Sequence, residues 1–145
     1  MKKRIVGLIL VIVTALNAQS FKDMVFSDAV VDKVTSVYDG DTFRVNIKGY
    51  PDIVGHRMAV RILGIDTPEM RAKCDKEKKL ARKAKKLTVS LLRDAKRIEL
   101  KNIKRGKYFR LLADVYVDGM LISSELIKRD LAVKYDGGTK IDWCK

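Results

Sequence analysis

The sequence predicts an α+β fold that is mainly β: a small closed barrel of five short strands with about three helices packed against it. Five segments between residues 30 and 117 are rich in Val, Ile and aromatic residues and are bounded by turn-forming residues, which is typical of short strands. One long segment with helical periodicity separates the third strand from the fourth. This order favours a closed barrel over an open parallel sheet. The 145 residues suffice for one domain, which we expect at residues 28–145.

The first half of the domain is predicted to be β structure. Its three strands are expected at Val30–Tyr38, Thr42–Lys48 and Met58–Ile65. The first two are joined by Asp39-Gly40, a dipeptide typical of tight hairpins. The longer loop "KGYPDIVGH" leads to the third strand.

A long amphipathic helix is predicted from Glu77 to Ala95. Its apolar residues recur at spacings of three and four, while Lys and Arg cover the other face; the apolar stripe consists of Leu80, Ala84, Leu87, Leu91 and Ala95. Strands are expected next at Ile98–Lys101 and Leu111–Val117, and Ser124 can cap a short helix from Glu125 to Leu131. The tail reads as irregular. The OB-fold is the best-known five-stranded barrel of this kind, and it commonly binds oligonucleotides.

The N-terminus has the composition of a secretory signal peptide. Basic residues at positions 2–4 precede an apolar run over residues 5–16. This run is shorter than the ~20 residues that span a bilayer as a helix. It indicates a signal peptide at residues 1–18, with cleavage after Ala15 or Ala18, and hence export to the periplasm or the medium. An uncleaved membrane anchor is the alternative.

The charge of the chain favours a polyanionic partner. Lys and Arg number 31 against 18 Asp and Glu, which gives a net charge of +13. The signal peptide accounts for three of these thirteen charges, so +10 belongs to the mature domain. Nucleic acid and an anionic membrane surface both fit such a charge. A surface protein that binds anionic lipid or wall polymer is therefore an alternative, although it leaves the acidic residues described next without a use.

Cys74 and Cys144 are the two cysteines of the chain. In an exported protein an even count suggests a disulfide, which here would close a loop of 70 residues. By chain entropy such a loop is worth about 4 kcal/mol. Two free thiols are the alternative. The sequence disfavours a four-ligand metal site on these thiols, because His56 is the only histidine and there are no further thiols.

Asp41 is an acid where the strand pattern predicts an apolar residue. After the turn in "VDGML" the strand resumes with apolar residues, whereas in "YDGDTFRV" it resumes with Asp41. Alternation places Asp41 on the same, core-facing side as Phe43, Val45 and Ile47. A solvated acid beside a hairpin turn is the alternative reading.

Arg61 and the acids that follow it also break their local pattern. Both faces of "AVRILGI" are apolar, so the charge of Arg61 must reach a carboxylate, a bound anion or the mouth of the barrel. A structural ion pair with Asp66 or Glu69 is one alternative. Pro68 ends the strand in a turn, and Asp66 or Thr67 capping a one-turn helix there is another.

These residue types are the ones that phosphodiester hydrolysis requires. Asp41 and Asp66 can supply oxygen ligands to a hard cation, and loop ligands suit Ca²⁺ better than Mg²⁺. Arg61, together with Arg110 in "KYFRLLADVYV", suits bidentate phosphate contacts. Glu69 can act as a base on a water molecule. The basic helix face and an aromatic residue suit a nucleic-acid strand.

Three motifs together resemble the staphylococcal nuclease (thermonuclease) family: "VYDGDTFRV", "VRILGIDTPE" and "KYFRLLADVYVDG". Each is weak alone, but their joint occurrence in this order is specific. The resemblance covers roughly residues 30–135. It implies an OB-fold barrel with packed helices and Ca²⁺-dependent cleavage of DNA and RNA that leaves 3′-phosphates.

The resemblance also implies roles for single residues. The metal-binding aspartates of the family match Asp41 and Asp66, and Thr67 matches a residue that adds a backbone carbonyl ligand. The family's two phosphate-binding arginines and its general base match, in this order, Arg61, Arg110 and Glu69.

Lys107 and Tyr108 match residues of the family that contact the terminal phosphate of the nucleotide, and Tyr135 lies near the position of a later tyrosine of the binding pocket. Phe109 stands where the family often has Gly. Because Phe cannot take every backbone conformation open to Gly, the approach of Arg110 can differ from the family's.

We therefore expect a monomeric, Ca²⁺-dependent nuclease that acts on DNA and RNA and has no stable membrane association after signal cleavage. A non-catalytic nucleic-acid-binding module on the same barrel is the alternative. The survival of all five metal-binding and catalytic side chains favours the enzyme.

Overall fold

The computed structural model describes residues 24–145, so the predicted signal peptide at residues 1–18 lies outside the described part. The strands are β1 (Ala29–Val37), β2 (Thr42–Ile47), β3 (Met58–Ile62), β4 (Ile65–Asp66), β5 (Ile98–Gly106), β6 (Arg110–Val117), β7 (Met120–Leu121) and β8 (Val133–Lys134). The helices are α1 (Asp52–Gly55), α2 (Asp75–Asp94) and α3 (Ile122–Lys128). Within this range, none of the helices has the length and apolarity needed to cross a membrane.

Five of the strands form a closed barrel in the order β3-β2-β1-β5-β6, and a parallel pairing of β3 with β6 closes it. The other barrel pairs are antiparallel. The pairing of β1 with β2 shifts register twice, and such bulges bend a strand so that a short sheet can curl. The predicted five-stranded OB-fold barrel with about three helices is confirmed.

The core fills the inside of the barrel because the strands alternate as predicted. Phe43 and Val45 of β2 are completely buried, and Ile47 is almost so. Val60 of β3 and Leu100 of β5 face them from other strands of the same apolar cluster. Side chains at these positions point inward because successive residues of a strand point to opposite faces.

Helix α2 packs beside β1 and α3. Its N-cap is Cys74, whose sulfur accepts a hydrogen bond from the backbone N–H of Glu77. The fully buried row of the helix lies next to the predicted stripe and comprises Ala81, Ala84, Thr88 and Leu92. Leu80, Leu87 and Leu91 of the predicted stripe are partly buried against the core. The helix was thus located correctly, but it is rotated so that a polar residue faces the barrel.

Several predicted bounds differ from the observed ones. The third strand breaks after Ile62, because Gly64 takes a left-handed turn with φ of 76° before β4 begins. Strand β5 extends to Gly106, five residues beyond its predicted end. Ser124 lies inside α3, which begins at Ile122 without a side-chain cap. The tail contains β8, whose partner β4 lies about 70 residues away in sequence and could not be recognised locally.

Candidate active site

Asp41 is buried at the start of the core-facing row of β2, with a relative exposure of 1%. The prediction that this acid shares a face with Phe43 is confirmed, and a solvated hairpin acid is ruled out. Its turn is fixed by two contacts. The backbone N–H of Asp41 donates to Oδ1 of Asp39 at 3.1 Å, and the hydroxyl of Thr88 in α2 donates to the carbonyl of Gly40 at 2.7 Å.

Asp66 and Thr67 are also buried, with exposures of 1% and 3%. Asp66 ends β4, where it pairs with Val133 of β8. Residues 67–69 that follow are not helical, and the next helix begins only at Asp75. The alternative of a one-turn helix capped by Asp66 or Thr67 was therefore wrong.

Arg61 joins the two buried aspartates. One terminal nitrogen donates to Oδ1 of Asp41 at 2.7 Å. The other donates to Oδ1 of Asp66 at 3.2 Å and to the carbonyl of Ile65 at 3.3 Å. Of the ion pairs considered from the sequence, the one with Asp66 is present, while the side chain of Glu69 pairs elsewhere. The arginine and both acids therefore form one unit.

The positive charge of Arg61 does not fully offset the effect of burial on Asp41. Burial raises the pKa of Asp41 to about 7, although the adjacent Arg61 lowers it. The hydroxyl of Thr42 also donates to Oδ1 of Asp41, at 2.8 Å. The hydrogen bonds and ion pairs from Thr42, Arg61 and Lys140 to Asp41 and Asp66 end on Oδ1 of each carboxylate. Two such carboxylates fit a hard divalent cation, which prefers oxygen ligands.

A cleft of ≈ 1010 Å³ brings the remaining candidates together. The candidate residues that line it are Asp41, Arg61, Thr67, Glu69, Lys107, Arg110, Tyr135 and Lys140. Asp66 does not line the cleft, but it contacts Arg61 at its edge. Tyr108 lies outside the cleft, at the tip of the β5–β6 hairpin, where 92% of it is exposed. Tyr135 is held by hydrogen bonds to the carbonyls of Gly64 and Gly138, at 2.9 Å each.

Arg110 is the first residue of β6 and pairs with Gly106 across the hairpin. Its Nε is buried without a hydrogen-bond partner, and no acidic residue between 24 and 145 forms an ion pair with it. Phe109 before it adopts the left-handed conformation usual for Gly, with φ of 52°, and packs near the guanidinium of Arg105. Arg110 lines the cleft with Phe109 in this conformation.

Glu69 lies at the cleft entrance with its side chain 57% exposed. Glu69, Asp41 and Asp66 do not form a group of three ligand atoms that all lie within 4.8 Å of one another. The one group of three His, Cys, Asp or Glu ligand atoms within 4.8 Å of one another in residues 24–145 is formed by Cys74, Glu77 and Cys144. The two sulfurs of that group are bonded to each other, so it is not a metal site. The exposed carboxylate of Glu69 in the cleft suits a base that acts on a water molecule.

Sequence reasoning missed Lys140. Its ammonium lies 2.6 Å from Oε1 of Glu69 and 2.9 Å from Oδ1 of Asp66. Burial lowers the pKa of Lys140, but its hydrogen bonds to these two carboxylates outweigh this and leave the pKa raised. The only signal in the sequence was Cys144, because a disulfide with Cys74 would bring the C-terminal tail close to Glu69. In the structure these cysteines form a disulfide with Cα atoms 6.0 Å apart.

Comparisons with known proteins point to one family. The model of the family described as "Staphylococcal nuclease homologue" matches residues 59–141. The SPbeta prophage-derived endonuclease YokF of Bacillus subtilis is 36% identical over 107 residues, which cover 72% of this chain and 33% of the relative. Endonuclease YncB of the same organism is 38% identical over 96 residues, 65% of this chain and 43% of the relative.

A fungal relative, the probable endonuclease lcl3 of Emericella nidulans, is 29% identical over 136 residues, which cover 74% of this chain and 48% of the relative. The chain thus spans between a third and a half of the length of these relatives.

Proposed function

The chain belongs to the staphylococcal nuclease family, and from this premise we propose that it is an exported Ca²⁺-dependent nuclease that hydrolyses phosphodiester bonds of DNA and RNA. The products would carry 3′-phosphates. The observation that carries the proposal is the gathering of Arg61, Glu69 and Arg110 around one cleft beside two buried aspartates. The endonuclease names of the Bacillus subtilis relatives support the reaction class.

Asp41 and Asp66 would hold the metal, and Thr67 beside them would add its backbone carbonyl. The burial of two carboxylates next to the cleft supports this assignment. Ligands on a turn and a two-residue strand suit the flexible coordination of Ca²⁺ better than the strict octahedron of Mg²⁺. When bound, the ion would supply positive charge against the phosphate.

The two arginines would bind the phosphate as negative charge builds on its oxygens. Arg110 supports this role because its buried Nε has no partner among the described residues, and a phosphate oxygen would accept its hydrogen bond. Arg61 would donate from the same cleft while it holds both aspartates in place. Guanidinium groups suit this task because their planar fork matches two phosphate oxygens.

Glu69 would act as general base. Its carboxylate lies at the cleft and remains open to water. It would accept the proton of a water molecule as that water attacks phosphorus, in line with the leaving 5′-oxygen. The bond between phosphorus and the 5′-oxygen would break, the 5′-oxygen would take a proton from water to become a hydroxyl, and the phosphate would remain on the 3′-oxygen.

The remaining candidates would hold the polynucleotide. Lys107 lines the cleft beside Arg110 and would contact the terminal phosphate. Tyr135 also lines the cleft. The exposed ring of Tyr108 would be available for contact with the nucleotide. The net charge of +10 on the mature domain would attract either DNA or RNA without regard to sequence.

Two features support the proposal of export. The predicted signal peptide at residues 1–18 would direct the chain to the periplasm or the medium. A disulfide between Cys74 and Cys144 is expected to form and persist in such an oxidising compartment. We propose a monomer without stable membrane association after cleavage.

The test is a plasmid and RNA degradation assay on the mature protein, with Ca²⁺ and then with excess chelator. We expect both substrates to be cut with Ca²⁺ and spared with chelator, and the products to be substrates for a 3′-phosphatase. Undiminished cleavage in chelator would refute the metal assignment. Tight binding of DNA without cleavage would instead favour the non-catalytic binding module.

A further inference from the structure

We infer that Lys140 is a built-in competitor of the metal ion: its ammonium neutralises Asp66 and Glu69 in the metal-free protein and sets the metal affinity of the site. This inference rests on the proposed function, because it assigns a residue to the proposed cation site. Lys140 belongs to the tail rather than to the barrel.

The ammonium of Lys140 contacts two carboxylates of the proposed site, as a bound cation would. Its Nζ lies 2.9 Å from Oδ1 of Asp66, a carboxylate whose side chain is only 2% exposed, and 2.6 Å from Oε1 of Glu69. Charged hydrogen bonds of this length are stronger than neutral ones, most of all at a buried partner. An ammonium and a divalent ion that approach the same carboxylate repel each other, so binding of the ion opposes this contact.

The tail is tethered in a way that favours the contact. Cys144 follows Lys140 by four residues and is bonded to Cys74, the N-cap of α2. On the other side of Lys140, Tyr135 donates its backbone N–H to Gly64 at 2.9 Å. The segment that carries Lys140 is thus fixed at both ends, which lowers the entropy lost when the ammonium docks.

A competitor of this kind has a measurable consequence. If the docked tail is populated in about nine of ten molecules, the apparent affinity for the ion falls about tenfold, because only the undocked fraction is competent to bind. On this inference the disulfide affects the affinity for the ion through Lys140, whose segment it tethers. Reduction should therefore strengthen Ca²⁺ binding when Lys140 is present and leave it unchanged when Lys140 is replaced.

The experiment measures Ca²⁺ binding by calorimetry on the oxidised mature protein, for the wild type, Lys140→Met and Lys134→Met. Lys134 is exposed on β8, so its replacement removes the same charge near the site without a contact to an acid. We expect Lys140→Met to bind about tenfold more tightly than the wild type, and Lys134→Met to differ by less than about twofold. Lys140→Arg, which keeps the charge, should stay close to the wild type.

A second arm repeats the titrations after reduction with a thiol reagent that does not bind calcium. The wild type should gain affinity, whereas Lys140→Met should not change. This arm uses the native sequence, so it remains informative if a variant folds poorly.

Equal affinity of the wild type and Lys140→Met, or weaker binding by Lys140→Met, would overturn the inference and leave the proposed nuclease intact. An equal gain by both lysine variants would also overturn it, because a general charge effect would then suffice. Failure of every variant to bind Ca²⁺ would reject the proposed metal site together with the inference.

Discussion

The hydroxyl of Thr88 donates a hydrogen bond of 2.7 Å to the carbonyl of Gly40, although the two residues lie 48 positions apart. Thr88 is completely buried in α2, and Gly40 directly precedes Asp41. A Cβ on Gly40 would lie only 2.7 Å from the Cβ of Ala84, one turn earlier in the same helix. Helix α2 therefore fixes the turn that positions the first buried acid, and this contact explains why the helix turns a polar residue towards the barrel.

Replacement Thr88→Val should lower the free energy of unfolding by about 1–2 kcal/mol, because it keeps the shape of the side chain and leaves the carbonyl of Gly40 without its donor. It should also weaken Ca²⁺ binding, since the turn carries Asp41. Denaturant unfolding and calorimetry measure the two effects. Thr35→Val is the matched control, because Thr35 donates to the carbonyl of Arg44 at an exposed site. Equal losses in the two variants would refute a special role for Thr88.

Replacement Asp41→Asn should abolish Ca²⁺ binding but stabilise the metal-free protein above pH 7. The reason is that burial makes the charged carboxylate unfavourable, and Asn keeps the shape without the charge. Thermal unfolding in excess chelator at pH 8 measures the gain. Asp32→Asn on the exposed part of β1 serves as the control and should have little effect. A lower melting temperature for Asp41→Asn would show that its pairing with Arg61 outweighs its burial.

The metal-free wild type should lose stability relative to Asp41→Asn as the pH rises. The pKa of Asp41 is raised from 3.8 to about 7 in the folded protein, so the folded state binds this proton more tightly than the unfolded chain. The stabilisation from proton binding is complete below pH 3.8 and is lost as the pH rises through 7. Urea unfolding in chelator between pH 5 and 9 measures the difference. A difference that is independent of pH would contradict the raised pKa.

Replacement Arg110→Ala should lower turnover by about 10²–10³, the usual loss when one donor to transition-state charge is removed. Arg110→Lys should recover little of it, because an ammonium cannot supply two parallel donors. Arg105→Ala in the same hairpin is the control; its guanidinium packs near Phe109 outside the main cleft. Single-turnover cleavage of a short DNA measures the rates. Wild-type turnover by Arg110→Ala would refute the role of Arg110 in binding the transition-state phosphate.

Local patterns were sufficient to predict the barrel and one side of its site. Alternation along β2 placed Asp41 beside Phe43 inside the barrel, and the apolar residues on both faces around Arg61 signalled a buried charge; both are buried or partly buried as expected. These predictions succeeded because strand periodicity depends on neighbouring residues alone.

Contacts between distant segments could not be predicted in the same way. Strand β8 is two residues long and exists only because it pairs with β4. Lys140 reaches Asp66 and Glu69 from a tail that carries no local pattern. Thr88 is the polar member of the buried row of α2, and nothing in the helix itself shows that a carbonyl of a remote turn is its partner.

Removal of the disulfide by the paired replacement Cys74→Ser and Cys144→Ser should lower the free energy of unfolding by up to about 4 kcal/mol, because the bond closes a loop of 70 residues in the unfolded chain. Denaturant unfolding measures the loss, and mass mapping of the secreted protein should find the linked peptide. Because Cys74 also caps α2, Ser at this position keeps a cap and isolates the effect of the bond. The reduced wild type should match the double variant. Two alkylatable thiols in secreted material, or equal stability of the oxidised wild type and the double variant, would show that this bond does not hold the tail.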